Sequence, residues 1–132
     1  MPAARTVVLR GFDANLGAIA IHSDYRSRKV AEITKNDRAA ALFYDPRKKI
    51  QIRTTGHCRI HYLDDLAIDT WRIMPAFSRR CHLAQSPGSL VEKPFLGLTP
   101  DFEKRASALD ESEKGFPNFV IIRFKVLALE CL

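Results

Sequence analysis

The alternation of apolar and polar residues over positions 49–62 (KIQIRTTGHCRIHY) constrains the fold more than any other feature of the sequence. Successive side chains of a β-strand point to opposite sides, so this period of two predicts a strand with one buried face. The length predicts one long bent strand or two shorter ones, and Gly56 is a candidate for a β-bulge. The apolar positions of the alternation are Ile50, Ile52, Ile60 and Tyr62.

Shorter segments of similar character predict the rest of a mainly β protein. Residues 13–17 (DANLG) contain turn formers, so a hairpin is expected around them. Asp24 or Ser27 is a candidate N-cap for the first helix. Five or six short strands with two or three peripheral helices predict an antiparallel barrel. The further strands are expected at 6–12, 18–23, 39–44 and 118–130, the helices at 24–36, 63–74 and 99–112, and a loop at 86–98, while 77–85 is ambiguous.

The composition predicts a single cytoplasmic domain over residues 1–132. The chain is 46% apolar and 27% charged, which suits one compact core. Its most apolar stretch, residues 116–132, is interrupted by Arg123 and Lys125, so no membrane-spanning helix is expected. The N-terminal residues lack the apolar core of a signal peptide. Three cysteines without a CxxC pair predict reduced thiols rather than disulfides.

The charge is concentrated in the first half of the chain. Residues 1–62 contain 12 Lys and Arg against 5 Asp and Glu, a net charge of +7, while residues 63–132 contain 9 against 10. This asymmetry indicates an anionic partner for the first half, either a phosphate-bearing ligand or a nucleic acid.

The densest cluster of polar residues covers positions 23–29 (SDYRSRK), where a strand is predicted to end and a helix to begin. The N-terminus of a helix exposes unpaired N–H groups and attracts anions. Arg28 and Lys29 add full positive charges, and Ser23 and Ser27 add hydroxyl donors, so the cluster suits a phosphate monoester. The alternative is a basic helix start that faces solvent.

Two further pairs of polar residues are candidates for ligand contacts. Arg5 and Arg10 flank an apolar segment and would point to opposite faces of a regular strand, so one of them could meet a ligand phosphate. The alternative is that both are charges at a sheet edge. Gln51 and Arg53 share a strand face, and an inward-facing Gln51 would need a polar heterocycle as partner. Alternatively, both face water.

The four histidines are scattered, and their spacing predicts no metal site. No Ser-His-Asp or Cys-His arrangement indicates a catalytic nucleophile, so the catalytic residues stay unknown. The histidines are His22, His57, His61 and His82.

Three segments, RTVVLR (5–10), HSDYRSRK (22–29) and QIRTTG (51–56), together resemble the three FMN motifs of the pyridoxamine 5′-phosphate oxidase family in order and spacing. Gln85 and Ser86 add a weaker fourth match. The resemblance implies an FMN-binding split β-barrel that forms a homodimer with FMN at the subunit interface.

The resemblance also implies a role for individual residues. Arg28 and Lys29 would bind the FMN phosphate, and Gln51 would bind the polar edge of the flavin ring. Gln85 and Ser86 would come from the other subunit. The cofactor-binding residues implied in this way are Arg5, Thr6, Val7, Val8, Arg10, His22, Ser23, Ser27, Arg28, Lys29, Gln51, Gln85 and Ser86, and Arg10 would also bind the phosphate of a substrate.

The sequence departs from the oxidases of this family at several positions. Arg10 stands where they have lysine, and Met74 precedes Pro75 where they have arginine. The chain begins at the first motif and ends at Leu132, before their C-terminal Arg-Leu-His-x-Arg run. We therefore expect an FMN-dependent oxidoreductase acting on a small molecule, rather than vitamin B6 oxidation in particular. The alternatives are a non-catalytic flavin-binding or deazaflavin-binding module and a small barrel that binds nucleic acid.

Overall fold

A computed structural model describes residues 2–83 and 109–132 and shows one antiparallel sheet of five strands in the order β1-β2-β5-β4-β3. The prediction of a mainly β fold with peripheral helices is confirmed. The strands are β1 (Gly11–Asp13), β2 (Ala18–Asp24), β3 (Arg38–Asp45), β4 (Ile50–His61) and β5 (Phe119–Cys131). The helices are α1 (Arg28–Lys35), α2 (Asp65–Ile73), α3 (Ala76–Arg79) and α4 (Leu109–Ser112), with 3₁₀ turns at Arg80–Leu83 and Glu113–Asn118.

The long alternating segment forms the single strand β4, with the expected bulge. The register of β4 against β5 shifts between Thr55 and Gly56. A Cβ atom at Gly56 would lie 1.8 Å from the carbonyl oxygen of Lys125, so the close approach of the two backbones requires glycine.

The predicted hairpin joins β1 to β2. Gly11 pairs with Ala20, and the Asp13 carboxylate accepts a hydrogen bond of 3.1 Å from the backbone N–H of Leu16. Gly17 has a φ of 62°, a left-handed conformation that glycine adopts without strain. Residues 13–17 therefore turn the chain as their composition predicts.

The prediction of a strand over residues 6–12 is wrong for residues 6–10, because β1 begins at Gly11. Arg10 donates its N–H to the carbonyl oxygen of Ala20 at 2.8 Å. Among the described residues, β1 pairs only with residues 18–20 of β2, and the ladder does not continue from residues 6–10 to the rest of β2, so their β-branched composition alone does not make them a strand. Residues 2–10 are all exposed.

The helices agree with the sequence patterns except at their ends. Helix α1 starts at Arg28 with Ser27 at its N-cap position. Helix α2 starts after Asp64, whose side chain accepts a hydrogen bond from the N–H of Ala67, and it ends before Pro75. The ambiguous residues 77–83 lie in α3 and the 3₁₀ turn that follows it. The loop predicted at 86–98 and most of the helix predicted at 99–112 lie outside the described residues.

The core lies at one end of the sheet, on both of its faces. Alternate residues of β5 over positions 119–122 point to opposite sides. On one side Val120 and Ile122 pack against Val30 of α1. On the other side Phe119 and Ile121 pack against α2. Burial on both faces explains why this part of β5 is an uninterrupted apolar run.

Candidate functional site

A tight turn connects β2 to α1 within the polar cluster at residues 23–29. The carboxylate of Asp24 accepts hydrogen bonds from the backbone N–H and the guanidinium of Arg26, with distances of 2.6 to 2.8 Å. The N–H of Tyr25 donates to the carbonyl oxygen of Asn118 at 2.7 Å, which ties the turn to the start of β5. Arg26 therefore forms an ion pair with Asp24, while Arg28 and Lys29 lie in the first turn of α1.

The N-terminus of α1 is not capped by a side chain. Ser27 makes no capping hydrogen bond, and no acidic residue lies in the first turn. The hydroxyl of Ser27 instead lies 3.3 Å from that of Ser23, and both residues are buried. The first N–H groups of the helix and the positive end of its dipole are therefore available to an anion.

The N-terminal segment places a third cation beside this helix start. Arg5 donates a hydrogen bond of 2.8 Å to the Glu32 carboxylate of α1. Burial lowers the pKa of the Lys29 ammonium, and repulsion from Arg5 lowers it further. An anionic ligand at the helix start would offset this repulsion. Thr6, Val7 and Val8 follow Arg5 as exposed residues.

Arg10 lies close to His22. Burial lowers the pKa of His22, and repulsion from Arg10 adds to this effect. The ring of Phe119 makes edge contacts with both His22 and His82, with centroids 5.1 and 5.2 Å apart. Burial lowers the pKa of His82 to about 4. The neutral imidazole of His82 therefore belongs to the core, and His22 lies between that core and Arg10.

The structure does not bring Gln51 to this cluster within the chain. Gln51 pairs with Tyr44, at the start of β4. The opposite end of β4 lies near α1, where Tyr62 stacks on Tyr25 with ring centroids 4.0 Å apart. At ~3.3 Å per residue, roughly 36 Å of chain separates Gln51 from Tyr62. Gln85 and Ser86 lie outside the described residues.

The stack of Tyr25 on Tyr62 was not predicted from the sequence. Tyr62 also donates its hydroxyl to the carbonyl oxygen of Pro117 at 2.8 Å, which fixes the ring. Tyr25 remains 48% exposed, so it presents an aromatic surface beside the start of α1. The two tyrosines are distant in sequence, and no local pattern pairs them.

Some kinds of site are absent from the described part of the chain. Residues 2–83 and 109–132 contain no cluster of three or more His, Cys, Asp or Glu side chains suited to a metal ion. In the same residues, no helix has the length and apolar character to span a membrane. All three cysteines are free.

Comparison with known proteins connects this site to a family. The model of the family "Pyridoxamine 5′-phosphate oxidase, FMN-binding domain" matches residues 1–62. The pyridoxine/pyridoxamine 5′-phosphate oxidase of Rubrobacter xylanophilus is 42% identical over 55 residues, which are 42% of this chain and 24% of that enzyme. The chain thus matches about a quarter of the length of this curated relative.

Solved structures extend the likeness to the whole chain. An FMN-binding protein of Nostoc punctiforme related to pyridoxamine 5′-phosphate oxidase superposes with a TM-score of 0.77 and 25% identity, covering 100% of this chain and 67% of its own. PhzG of Burkholderia lata, solved with tetrahydrophenazine-1-carboxylic acid, superposes with a TM-score of 0.64 and 16% identity. The superposition covers 98% of this chain and 61% of PhzG. This second likeness concerns the fold alone.

The fold is therefore the FMN-binding split β-barrel, as predicted. Residues 1–62 match the FMN-binding domain of the pyridoxamine 5′-phosphate oxidase family, and the resemblance of the three motifs to that family is confirmed.

Proposed function

We propose that the protein binds FMN and, as a homodimer, uses it for oxidoreductase chemistry on a small molecule. The observation that carries the proposal is the uncapped start of α1, with Arg28 and Lys29 in its first turn and Arg5 beside it. These groups lie within the 62 residues that match the FMN-binding domain.

The donor set at this helix start fits a phosphate monoester. Free helix N–H groups, the Arg28 guanidinium and the Lys29 ammonium would contact the phosphate oxygens, and Ser23 and Ser27 add hydroxyls. Arg5 and the backbone of Thr6, Val7 and Val8 would lie along the flavin. FMN supplies hydride-transfer chemistry when bound, so the chain's own residues have to bind, orient and shield it.

A second protomer would complete the site. Gln51, proposed to bind the flavin ring, lies at the far end of β4 from α1, and a partner subunit can supply this residue from the other side. The proposed contacts from Gln85 and Ser86 would come from the partner in the same way. Exposed apolar residues at the far end of the sheet support such an interface. Arg10 would face the phosphate of a substrate, and the three free cysteines support a cytoplasmic location.

The cofactor proposal is tested by titrating FMN and riboflavin against the variant Arg28→Gln/Lys29→Gln. Loss of two charged contacts should weaken FMN binding by at least about tenfold. Riboflavin lacks the phosphate, so its affinity should stay within about twofold. The matched control is Arg47→Gln/Lys48→Gln, which removes two charges from the turn after β3. A wild-type protein that does not bind FMN, or unchanged FMN binding in the variant, contradicts the proposal.

The oxidoreductase part has a separate test. The FMN-loaded protein is mixed anaerobically with candidate reductants, pyridoxamine 5′-phosphate among them, and the flavin absorbance is followed. Bleaching by a substrate supports an enzyme. Stable oxidised flavin with every candidate would instead support the alternative of a non-catalytic flavin-binding module.

A further inference from the structure

A groove of about 410 Å³ lies on the sheet between the β1–β2 turn and the second half of β4. Arg59 is paired with Arg123, and His61 with Ile121 of the α2 cluster. Directly opposite residues of an antiparallel pair share one face, so the groove lies on the α2 side of the sheet. The lining residues that matter here are Asp37, His57, Arg59, His61, Arg123 and Lys125.

The charges of this groove are unbalanced. Arg59 lies directly opposite Arg123, and Lys125 lies opposite His57. Like charges in such cross-strand positions destabilise a sheet. Within residues 2–83 and 109–132, no acidic side chain pairs with Arg59, Arg123 or Lys125. The carboxylate of Asp37, which also lines the groove, lies instead 3.0 Å from His57 Nδ1.

A buried histidine at the same groove has a free ring nitrogen. His61 is 8% exposed, and its Nδ1 lies 2.7 Å from an Asp64 carboxylate oxygen. The other oxygen of Asp64 accepts from the N–H of Ala67 at 3.0 Å, so the carboxylate holds the ring in place. Within the described part of the chain, the buried Nε2 atom of His61 has no hydrogen-bond partner. A buried polar atom of this kind is satisfied when a ligand supplies the missing partner.

We propose that this groove binds a small phosphate-bearing anion, held by Arg59, Arg123 and Lys125 and hydrogen bonded to His61. Two adjacent guanidinium groups suit the several oxygens of a tetrahedral phosphate. The volume suits a small molecule, since ligand pockets span roughly 300–1,000 Å³. The site is distinct from the start of α1, which lies on the opposite face of the sheet and carries the proposed FMN phosphate contacts.

The test measures inorganic phosphate binding by calorimetry in an Arg28→Gln/Lys29→Gln background, which removes the charges of the other site. Adding Arg59→Gln and Arg123→Gln should weaken phosphate binding by at least about tenfold. The matched control is Arg72→Gln, an exposed arginine on α2. His61→Phe should weaken binding by about threefold. Circular dichroism confirms that each variant is folded.

Several outcomes overturn the proposal. Undetectable phosphate binding in the background protein, or unchanged affinity after loss of both groove arginines, removes the site. If Arg72→Gln weakens phosphate binding as much as the groove variants do, the effect comes from the net charge of the protein and not from the groove. Finally, Arg59→Gln/Arg123→Gln in the otherwise unaltered protein should keep FMN affinity within about twofold. A parallel loss of FMN affinity would assign the groove to the flavin site instead.

Discussion

The two ends of the sheet are built from the same strands but are covered very differently. At the first end, Phe119 and Ile122 are 0% and 2% exposed, because α1 and α2 cover opposite faces. At the second end, Leu42 and Leu129 are 60% and 66% exposed. Leu42 lies opposite Arg53 and Leu129 opposite Thr54, so the two leucines lie on different faces. We call these the covered end and the open end.

The difference separates two roles for apolar residues. At the covered end they stabilise the protomer through burial. At the open end they stay exposed and add little burial energy to the chain. Exposed apolar surface of this extent is typical of an interface. The further exposed apolar residues of the open end are Tyr44, Ile50, Leu127 and Leu132.

The largest expected effect is at Gly56, where the two ends meet. Gly56→Ala would place a methyl group 1.8 Å from the Lys125 carbonyl oxygen and 3.3 Å from the Leu127 nitrogen, both backbone atoms of β5. We expect the free energy of unfolding to fall by roughly 4 kcal/mol or more, measured by urea denaturation. Gly11→Ala is the control, since its Cβ would meet Ala20 at an ordinary 3.7 Å. Equal stability of the two variants would show that the bulge does not depend on glycine.

The next largest effect is a pH dependence of the free energy of unfolding, caused by His82 at the covered end. The pKa of His82 falls from 6.5 to about 4 on folding because the ring is buried. Between these values the unfolded chain binds a proton that the folded protein does not. The free energy of unfolding should thus fall by about 3 kcal/mol as the pH drops from 6.5 to 4, and be unaffected by this group above 6.5.

The measurement is a series of urea denaturation curves between pH 4 and 7 for the wild type and His82→Leu. The variant should lose most of the slope, because leucine does not titrate. His57→Gln is the control, since His57 is exposed and its loss should leave the slope in place. A slope unchanged in His82→Leu would assign the dependence to another group.

Substitution at the open end should affect association and leave folding unchanged. Leu129→Lys places a charge in the proposed interface, so the dissociation constant of the dimer should rise by at least about tenfold. The unfolding free energy of the protomer should change by less than about 0.5 kcal/mol. Ile73→Lys is the matched control, because Ile73 is 85% exposed on α2 at the covered end. Sedimentation that shows both variants equally dimeric would rule out an interface at Leu129.

The parts of the fold that follow local patterns were predictable. The period of two over 49–62 defines β4 because side-chain alternation is a property of one strand. Gly56 was identifiable because a glycine within such a pattern signals a bulge. The cluster at 23–29 was identifiable as a candidate site because its charges and the helix start are contiguous.

The parts that depend on contacts between distant segments were not predictable. Residues 6–10 have strand composition, but a strand also needs a paired neighbour, and the pairing of β1 with β2 begins only at Gly11 and Ala20. The groove depends on the register that places Arg59 opposite Arg123, and no pattern within either strand encodes that register. The neutral state of His82 depends on its burial by other elements.

The smallest expected effect contrasts one cross-strand charge pair from each end. At the covered end, Arg59 opposes Arg123, a repulsive pair. At the open end, Arg53 opposes Glu130 with 3.8 Å between charged atoms, an attractive pair. Without added anion, Arg123→Gln should raise the free energy of unfolding by about 0.5 kcal/mol, whereas Arg53→Gln should lower it slightly or leave it unchanged.

With inorganic phosphate present, the wild type should gain stability that Arg123→Gln does not, because a bound anion offsets the repulsion. A loss of stability in Arg123→Gln without any anion would mean that the arginine pair is already balanced within the protein.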